Sequence, residues 1–302
     1  MEKQSLCRVI ISGIMLGAIA ACAPDAPSNP SPDASERPST DLPGENPAQR
    51  DIPQRIVALS SISADLVETL SDEKLVGIPG SPLLASDPRF EGLEVISQGR
   101  TEPDLEKIIA LEPELVIGAE GFHDKALQRL SDLDIETLPV DIDSWDSLRA
   151  VTQQLAEQLG SDSAPVLQRY ESCLEQAPER AATAVLLVSR EPLLSPNQNS
   201  WASDFITQFN LQNLTADLQG QSEFEGYVTL SPEKVLELNP DRVLLIETGE
   251  GAQPSELQAE PFWRELKAVQ TDQIETFDYF GLINPGSLAS IEKVCNQLGR
   301  LG

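Results

Sequence analysis

The chain of 302 residues contains a single histidine, His123, and four cysteines. A transition-metal site built mainly from imidazoles is therefore excluded, while a carboxylate cage for a hard cation is not. Positive charge is scarce. Twenty-one Lys and Arg face 49 Asp and Glu, giving a formal net charge of −28 and a pI near 4.2. Such a surface is repelled by nucleic-acid phosphates and by anionic lipid, so the acidity argues for solubility and against a polyanionic partner. Catalytic motifs are missing as well. There is no Gly-x-Ser-x-Gly elbow, no Gly-x-Gly-x-x-Gly turn and no phosphate loop. Carboxylates are too plentiful for a glycosidase pair to be singled out. The expectation is a protein that is not an enzyme and that carries no resident cofactor.

What is present starts with a processing signal. Lys3 and Arg8 precede an apolar run, Val9 to Ala21, that is too short to span a membrane comfortably. It ends Ile19-Ala20-Ala21-Cys22, similar to the bacterial lipobox, in which the cysteine is lipidated and becomes the new N-terminus. The other reading is an ordinary secretory signal with a chance cysteine. Ala23 to Pro53 contains eight prolines and almost nothing apolar. It cannot bury enough surface to offset its ordering entropy, and it reads as a tether reaching on the order of 30 Å or more. The expected organisation is a signal peptide over 1–22, a tether over 23–53, a first lobe over 54–143, a helical link over 144–178 and a second lobe over 179–302.

From Pro53 onward strand and helix patterns alternate, which predicts an α/β fold with largely parallel sheets. Arg55–Leu59, Leu75–Ile78, Leu115–Gly118, Glu136–Val140 and Ala184–Val188 read as strands. Ala64–Leu70, Leu105–Leu111 and His123–Leu133 read as helices. Trp145, Leu148, Val151, Leu155 and Leu159 form a helical stripe ended by Gly160. Val166, Tyr170, Cys173, Leu174 and Ala177 form a second stripe, read as the connection between lobes. A repeat underlies the two-lobe reading. Asp104–Ile117 matches Ser231–Leu244 at a constant offset of 127, sharing Glu-Lys, two aliphatics, Leu, Pro, an acid and an apolar strand. Any helix–Pro–strand unit has something of this shape, but the shared spacing favours duplication.

The lipobox, Arg55-Ile56-Val57-Ala58-Leu59-Ser60, the segment Asp104–Ile117 and the late Asn284-Pro285-Gly286-Ser287 together resemble the ABC-transporter periplasmic binding proteins for ferric siderophores and vitamin B12. The resemblance covers residues 54–302. It implies two Rossmann-like lobes joined by a single long helix, ligand in the cleft between them, and little closure on binding. It also implies one exposed glutamate per lobe, Glu106 and Glu233, that docks onto arginines of the permease. The plain alternative is that both acids favour helix N-termini. The implied partners are the permease with its ATPase, the membrane through a lipid on Cys22, and a small metal-chelate ligand, with the protein a monomer.

In such a fold the ligand touches loops at the C-terminal ends of strands. The candidates in lobe one are Ser60 and Ser61, Pro79-Gly80-Ser81, Arg100, and Glu120-Gly121-Phe122-His123. In lobe two they are Arg190, Trp201, Tyr227, Tyr279, Phe280 and Asn284. Arg100 and Arg190 favour an anionic ligand, because guanidinium holds carboxylate or catecholate oxygens bidentately; each could equally be a surface ion-pair partner. His123 reads as a surface residue at a helix start, and Trp201 either caps the pocket or anchors a helix. An iron–siderophore complex is the leading ligand, with a corrinoid next and haem after that. A cell-envelope hydrolase or a non-transport sensor or adhesion lipoprotein are the readings of other classes. With Cys7 lost in the signal and Cys22 lipidated, Cys173 and Cys295 remain for a disulfide in an oxidising compartment. Two separate buried thiols are the alternative.

Overall fold

The computed structural model describes residues 52–98, 101–218, 222, 225–247 and 257–301. The signal, Cys22 and nearly all of the expected tether lie outside these residues, as does Arg100.

Lobe one is a five-stranded parallel sheet of β1 (Ile56–Ala58), β2 (Leu75–Gly80), β3 (Glu94–Gln98), β4 (Leu115–Ala119) and β5 (Thr137–Val140), in the order β3-β2-β1-β4-β5. Its central strands are apolar on both faces, since helices cover both sides; Ile56, Val57, Ala58, Val116 and Ile117 are all fully buried. The helices are α1 (Ser61–Leu70), a short α2 (Pro82–Ala85), α3 (Leu105–Ala110) and α4 (Asp124–Ser131). Strand β3 escapes a pattern search because only Ile96 of its five residues is buried, as suits an edge.

Two helices follow. α5 (Trp145–Leu159) starts in a capping box between Ser144 and Ser147 and stops at Gly160, whose φ of +65° suits the left-handed cap. α6 (Ala164–Leu174) is the helix that hands the chain to lobe two. There β6 (Ala182–Leu187), β9 (Leu211–Asn213), β11 (Arg242–Glu247) and β12 (Ile274–Asp278) form a parallel sheet in the order β12-β11-β6-β9. A second, antiparallel sheet of β7 (Ser189–Arg190), β8 (Leu193–Pro196) and β10 (Tyr227–Leu230) stands beside it. Helices α7 (Trp201–Gln208) and α8 (Pro232–Leu238), and a C-terminal helix, Leu288–Leu298, complete the lobe.

The repeat is realised atom by atom. Asp104 caps α3 by accepting the Lys107 amide at 3.1 Å, and Ser231 caps α8 by accepting the Lys234 amide at 3.2 Å. Just before each proline the chain turns left-handed, at Glu112 (φ +47°) and Asn239 (φ +39°). The acid after each proline then reaches the start of the strand that pairs with its own. Glu114 accepts the Gln54 amide at 2.5 Å, and Asp241 accepts the Thr183 amide at 3.0 Å. Lys267 beside it, with the N–H and hydroxyl of Thr183, holds the Asp241 carboxyl well below the usual range.

The lobes share one apolar core. A single cluster runs from Ile56 and Leu66 through Leu148 and Leu155 to Leu186, Phe205, Leu244 and Ile291. At its centre the Trp145 ring stacks on Trp201, with centroids 5.7 Å apart and planes 16° from parallel, and Phe205 tilts against both. The Trp145 amide donates to Asp204 at 2.7 Å. Asp65, on α1 and 2% exposed, accepts the amide of Leu288 at 2.7 Å and pairs with Arg89 at 2.6 Å. It thereby ties lobe one to the first turn of the C-terminal helix. Cys173 of α6 and Cys295 of that helix are joined by a disulfide, with Cα atoms 5.5 Å apart, and Arg169 pairs with Glu292 at 2.6 Å.

Removing one partner of such a buried arrangement leaves the others unpaired. Asp65→Ala is expected to cost about 2–4 kcal/mol, and Asp65→Asn less, because the amide oxygen still accepts from Leu288. Urea unfolding followed by circular dichroism measures both. Equal losses for the two variants would show that the Leu288 bond contributes nothing.

Candidate ligand cleft and rim

The strand order places the crevice. The chain reverses direction across the sheet between β1 and β4, so the loops after those strands open a gap at their C-terminal ends. Lobe two approaches lobe one on either side of that gap. On the β2 side, a Cβ built on Gly286 would lie 2.8 Å from Leu83 and 2.9 Å from Phe280, so the two lobes are in contact there. On the β5 side, Glu225 of lobe two acts electrostatically on Asp141. The loops after β1 and β4 lie between these two approaches in the sheet order, which makes them the candidate lobe-one wall of the cleft.

The loop after β4 is built to present an aromatic. Gly121 adopts φ +75°, its amide donates to Asp124 at 2.8 Å, and Phe122 projects with 66% of its surface exposed. A Phe this exposed is an uncovered apolar face at the end of a central strand, a place where ligands bind. His123 is buried, not on the surface as its helix-start position suggested. Its Nδ1 accepts the Ala119 amide at 2.9 Å, and its ring meets Phe122 edge-on at 4.8 Å. Burial lowers its pKa, and the Asp124 charge opposes this.

The other sequence candidates divide. Ser60 and Ser61 sit half-buried at the start of α1, where the Ser60 hydroxyl is occupied by the Ser63 amide and hydroxyl. Ser81 caps α2 through the Leu83 amide. Tyr227 opens β10 half-buried, and burial, then the nearby Tyr279, raises its hydroxyl pKa. Tyr279 and Phe280 meet edge-on at 5.4 Å after β12, both half-buried. Asn284 turns its side chain onto the backbone, its Oδ1 accepting the Gly286 amide at 2.9 Å. Trp201 is the helix anchor of the two readings and not the pocket cap. It is 3% exposed, is packed into the shared core and donates Nε1–H to the Gly281 carbonyl at 2.8 Å, so it presents no face to a ligand. Arg190 forms ion pairs with Glu191 at 2.5 Å and Glu260 at 3.2 Å.

Sequence reading included Glu120 in the loop after β4 but passed over three further acids. Asp141 and Asp143 follow β5 and Glu120 follows β4, while Glu225 stands just before β10. Burial raises the Asp141 pKa, and the charges of Asp143, Glu120 and Glu225 push it further. The rule that selected the other strand-end loops would have selected Asp141 and Asp143 too. A hollow of about 450 Å³ is lined by residues of lobe one alone, among them Ile78, Gly80, Ser81, Leu84 and Phe90.

Glu106 and Glu233 are both exposed in the first turns of α3 and α8. Each helix precedes a parallel strand, β4 or β11, so its N-terminus lies toward that strand's C-terminal end, on the rim of the cleft. The Glu233 carboxylate accepts from its own amide and then from the Ser231 hydroxyl, which lowers its pKa.

A family model described as "Periplasmic binding protein" matches residues 56–278. The chain belongs to the periplasmic binding protein family. Among curated relatives of this periplasmic binding protein, the vitamin B12-binding protein of Salmonella paratyphi A is 23% identical over 224 residues, covering 71% of this chain and 79% of that one. The iron-uptake system-binding protein of Bacillus subtilis is 22% identical over 229 residues, covering 69% and 71%. An ABC transporter substrate-binding protein from Listeria monocytogenes shares the fold at a TM-score of 0.65 and 19% identity, covering 82% of this chain and 98% of that one. Members of the periplasmic binding protein family bind small solutes and work with an ABC permease and its ATPase. Such proteins work outside the cytoplasm, and among the described residues no helix is long and apolar enough to cross a membrane.

Proposed function

We propose that this protein is the lipid-anchored, ligand-capturing component of an ABC importer for a neutral or cationic metal chelate, with a corrinoid as the leading ligand. The observation that carries the charge of the ligand is the cluster of Glu120, Asp143 and Glu225 whose charges act on Asp141, with the exposed Phe122 two residues after Glu120. An anionic ferric chelate in that setting meets like charge from both lobes, which costs affinity and slows encounter. The arginine argument for an anion weakens, because Arg190 already pairs with Glu191 and Glu260. A corrinoid offers a flat, weakly charged body to Phe122, Tyr227, Tyr279 and Phe280. The vitamin B12-binding relatives support that choice, and the iron-uptake relative supports an iron chelate as the second reading, for which the acidic cluster favours an uncharged or cationic ferric hydroxamate. Lipidation at Cys22 completes the proposal, keeping the protein near the permease.

The test is a tryptophan-fluorescence titration of the purified protein with cyanocobalamin, a ferric hydroxamate, a ferric tris-catecholate and haemin, corrected for inner-filter absorption. Trp145 and Trp201 at the lobe junction are the reporters. Saturable quenching by cyanocobalamin or the hydroxamate, with the catecholate at least tenfold weaker, is the expected result. Tight binding of the catecholate would overturn the charge argument.

A further inference from the structure

We infer that neutral His123 is a positioning residue for the cleft: by accepting the Ala119 amide and backing the Phe122 ring, it holds that ring out toward the ligand, so affinity falls when the imidazole gains a proton. The inference deepens the proposed ligand reading and rests on it for the role of Phe122.

The geometry specifies one protonation state. A ring nitrogen that accepts a backbone N–H must carry a lone pair, so Nδ1 is bare and the neutral ring bears its proton on Nε2. Imidazolium has no lone pair to offer. Protonation therefore replaces the bond to Ala119 with two N–H groups facing each other. The loop has little slack to absorb this. The His123 amide donates back to the Ala119 carbonyl at 2.8 Å, closing a tight turn at the end of β4. Gly118 leaves no room on the inner side, since a Cβ there would lie 3.0 Å from the His123 Cβ and 3.1 Å from both Leu127 and Leu59. Phe122 meets the imidazole edge-on at 4.8 Å, so a shift of the ring is felt at Phe122.

The charged surroundings are mixed. Asp124 on α4 favours the imidazolium, and Lys125 follows it in the chain. Glu120 closes β4 and Asp141 follows β5, while the β1 side contributes Leu59 and then Ser60, neither of them charged. Burial outweighs these and lowers the pKa of the ring. The sign for stability follows. The neutral form is favoured in the folded state, so its contribution is complete above the unfolded histidine pKa of about 6.5 and is lost as pH falls through the lower folded value. Since His123 is the one histidine, a change between pH 8 and 5 isolates it, apart from the raised Asp141 and Glu68.

Two arms test the inference. In the ligand-free protein, ¹⁵N chemical shifts of Ala119 and Phe122 should titrate together with the His123 ring protons. Shifts that stay flat while the ring titrates would overturn the positioning role. In the second arm, the Kd of cyanocobalamin, or of the ferric hydroxamate if that is the ligand found, is measured from pH 8 to pH 5. It should rise about five- to tenfold in the wild-type protein, the scale of one lost hydrogen bond. His123→Asn, whose amide oxygen can accept from Ala119 and cannot be protonated, should bind like wild type at pH 8 and lose most of the pH dependence. Asp141→Asn should retain it. A pH dependence that survives in His123→Asn and vanishes in Asp141→Asn would overturn the inference. Failure of every probe to bind at pH 8 would overturn the ligand reading itself, and the first arm would still decide whether His123 sets the Phe122 tip.

Discussion

Uptake of the ligand should fall to background when Glu106 and Glu233 are both changed to lysine, while the Kd of the isolated protein for that ligand stays within about twofold of wild type. Both acids stand exposed on the cleft rim, one per lobe, at matching places in a repeated helix–strand unit. Charge-assisted hydrogen bonds to arginine are directional as well as strong, and two of them at fixed separation determine orientation. Each single reversal is expected to weaken docking by roughly 10- to 100-fold, the range for one charged hydrogen-bonded contact. The double variant loses orientation too and should be worse than either. Glu→Gln at the same positions separates charge from shape. Glu233 also accepts from its own amide and from Ser231, so Glu233→Lys disturbs the start of α8 where Glu106→Lys disturbs nothing comparable. Uptake by cells carrying the double variant, set beside the ligand Kd of the same protein, measures the effect. Normal uptake would overturn the docking role and leave both acids as residues that favour helix starts.

The largest loss of stability should follow removal of the disulfide. Cys173 and Cys295 are 122 residues apart in sequence, so the bond closes a loop comprising nearly all of lobe two. Chain-entropy arguments assign a loop of this size about 4–5 kcal/mol, with measured values commonly smaller. The double Cys→Ser variant, or the wild-type protein under reduction, should melt roughly 8–15 °C lower, using about 2–4 °C per kcal/mol for a domain of this size. The Arg169–Glu292 pair one turn away joins the same helices but is partly exposed to solvent and cannot compensate. Differential scanning calorimetry gives the shift. Alkylation of both cysteines in the unreduced protein, mapped by mass spectrometry, would show that no bond forms.

The sequence made the parallel lobes readable because their signals are local. The stop at Gly160, the strand after each Pro-acid pair and the caps at Asp104 and Ser231 all lie within a few residues of the feature they set. The repeat added confidence that no single helix could, since two copies had to err together. The antiparallel sheet of β7, β8 and β10 was not readable, because strands of two to four residues carry too few side chains for an alternation. Site residues failed for a different reason. Whether Trp201 faces ligand or core depends on Trp145, 56 positions earlier, stacking on it. The partner of Asp65 is a backbone amide 223 positions away. Asp141 and Glu225 were hidden by abundance, two acids among 49.

The junction at Asp65, Trp145 and Trp201 has a consequence for how an empty protein differs from a full one. A hinged receptor reports its cargo by changing shape. Here the two halves are joined through one continuous interior, so the spacing between Glu106 and Glu233 is expected to change little when the cleft fills. Whatever grips that rim would then meet nearly the same outline, loaded or not. Emptying the cleft by prising the lobes apart would mean levering against the weld, exposing tryptophan and leucine to water at every step. The joint that makes capture simple makes release the step that needs outside work.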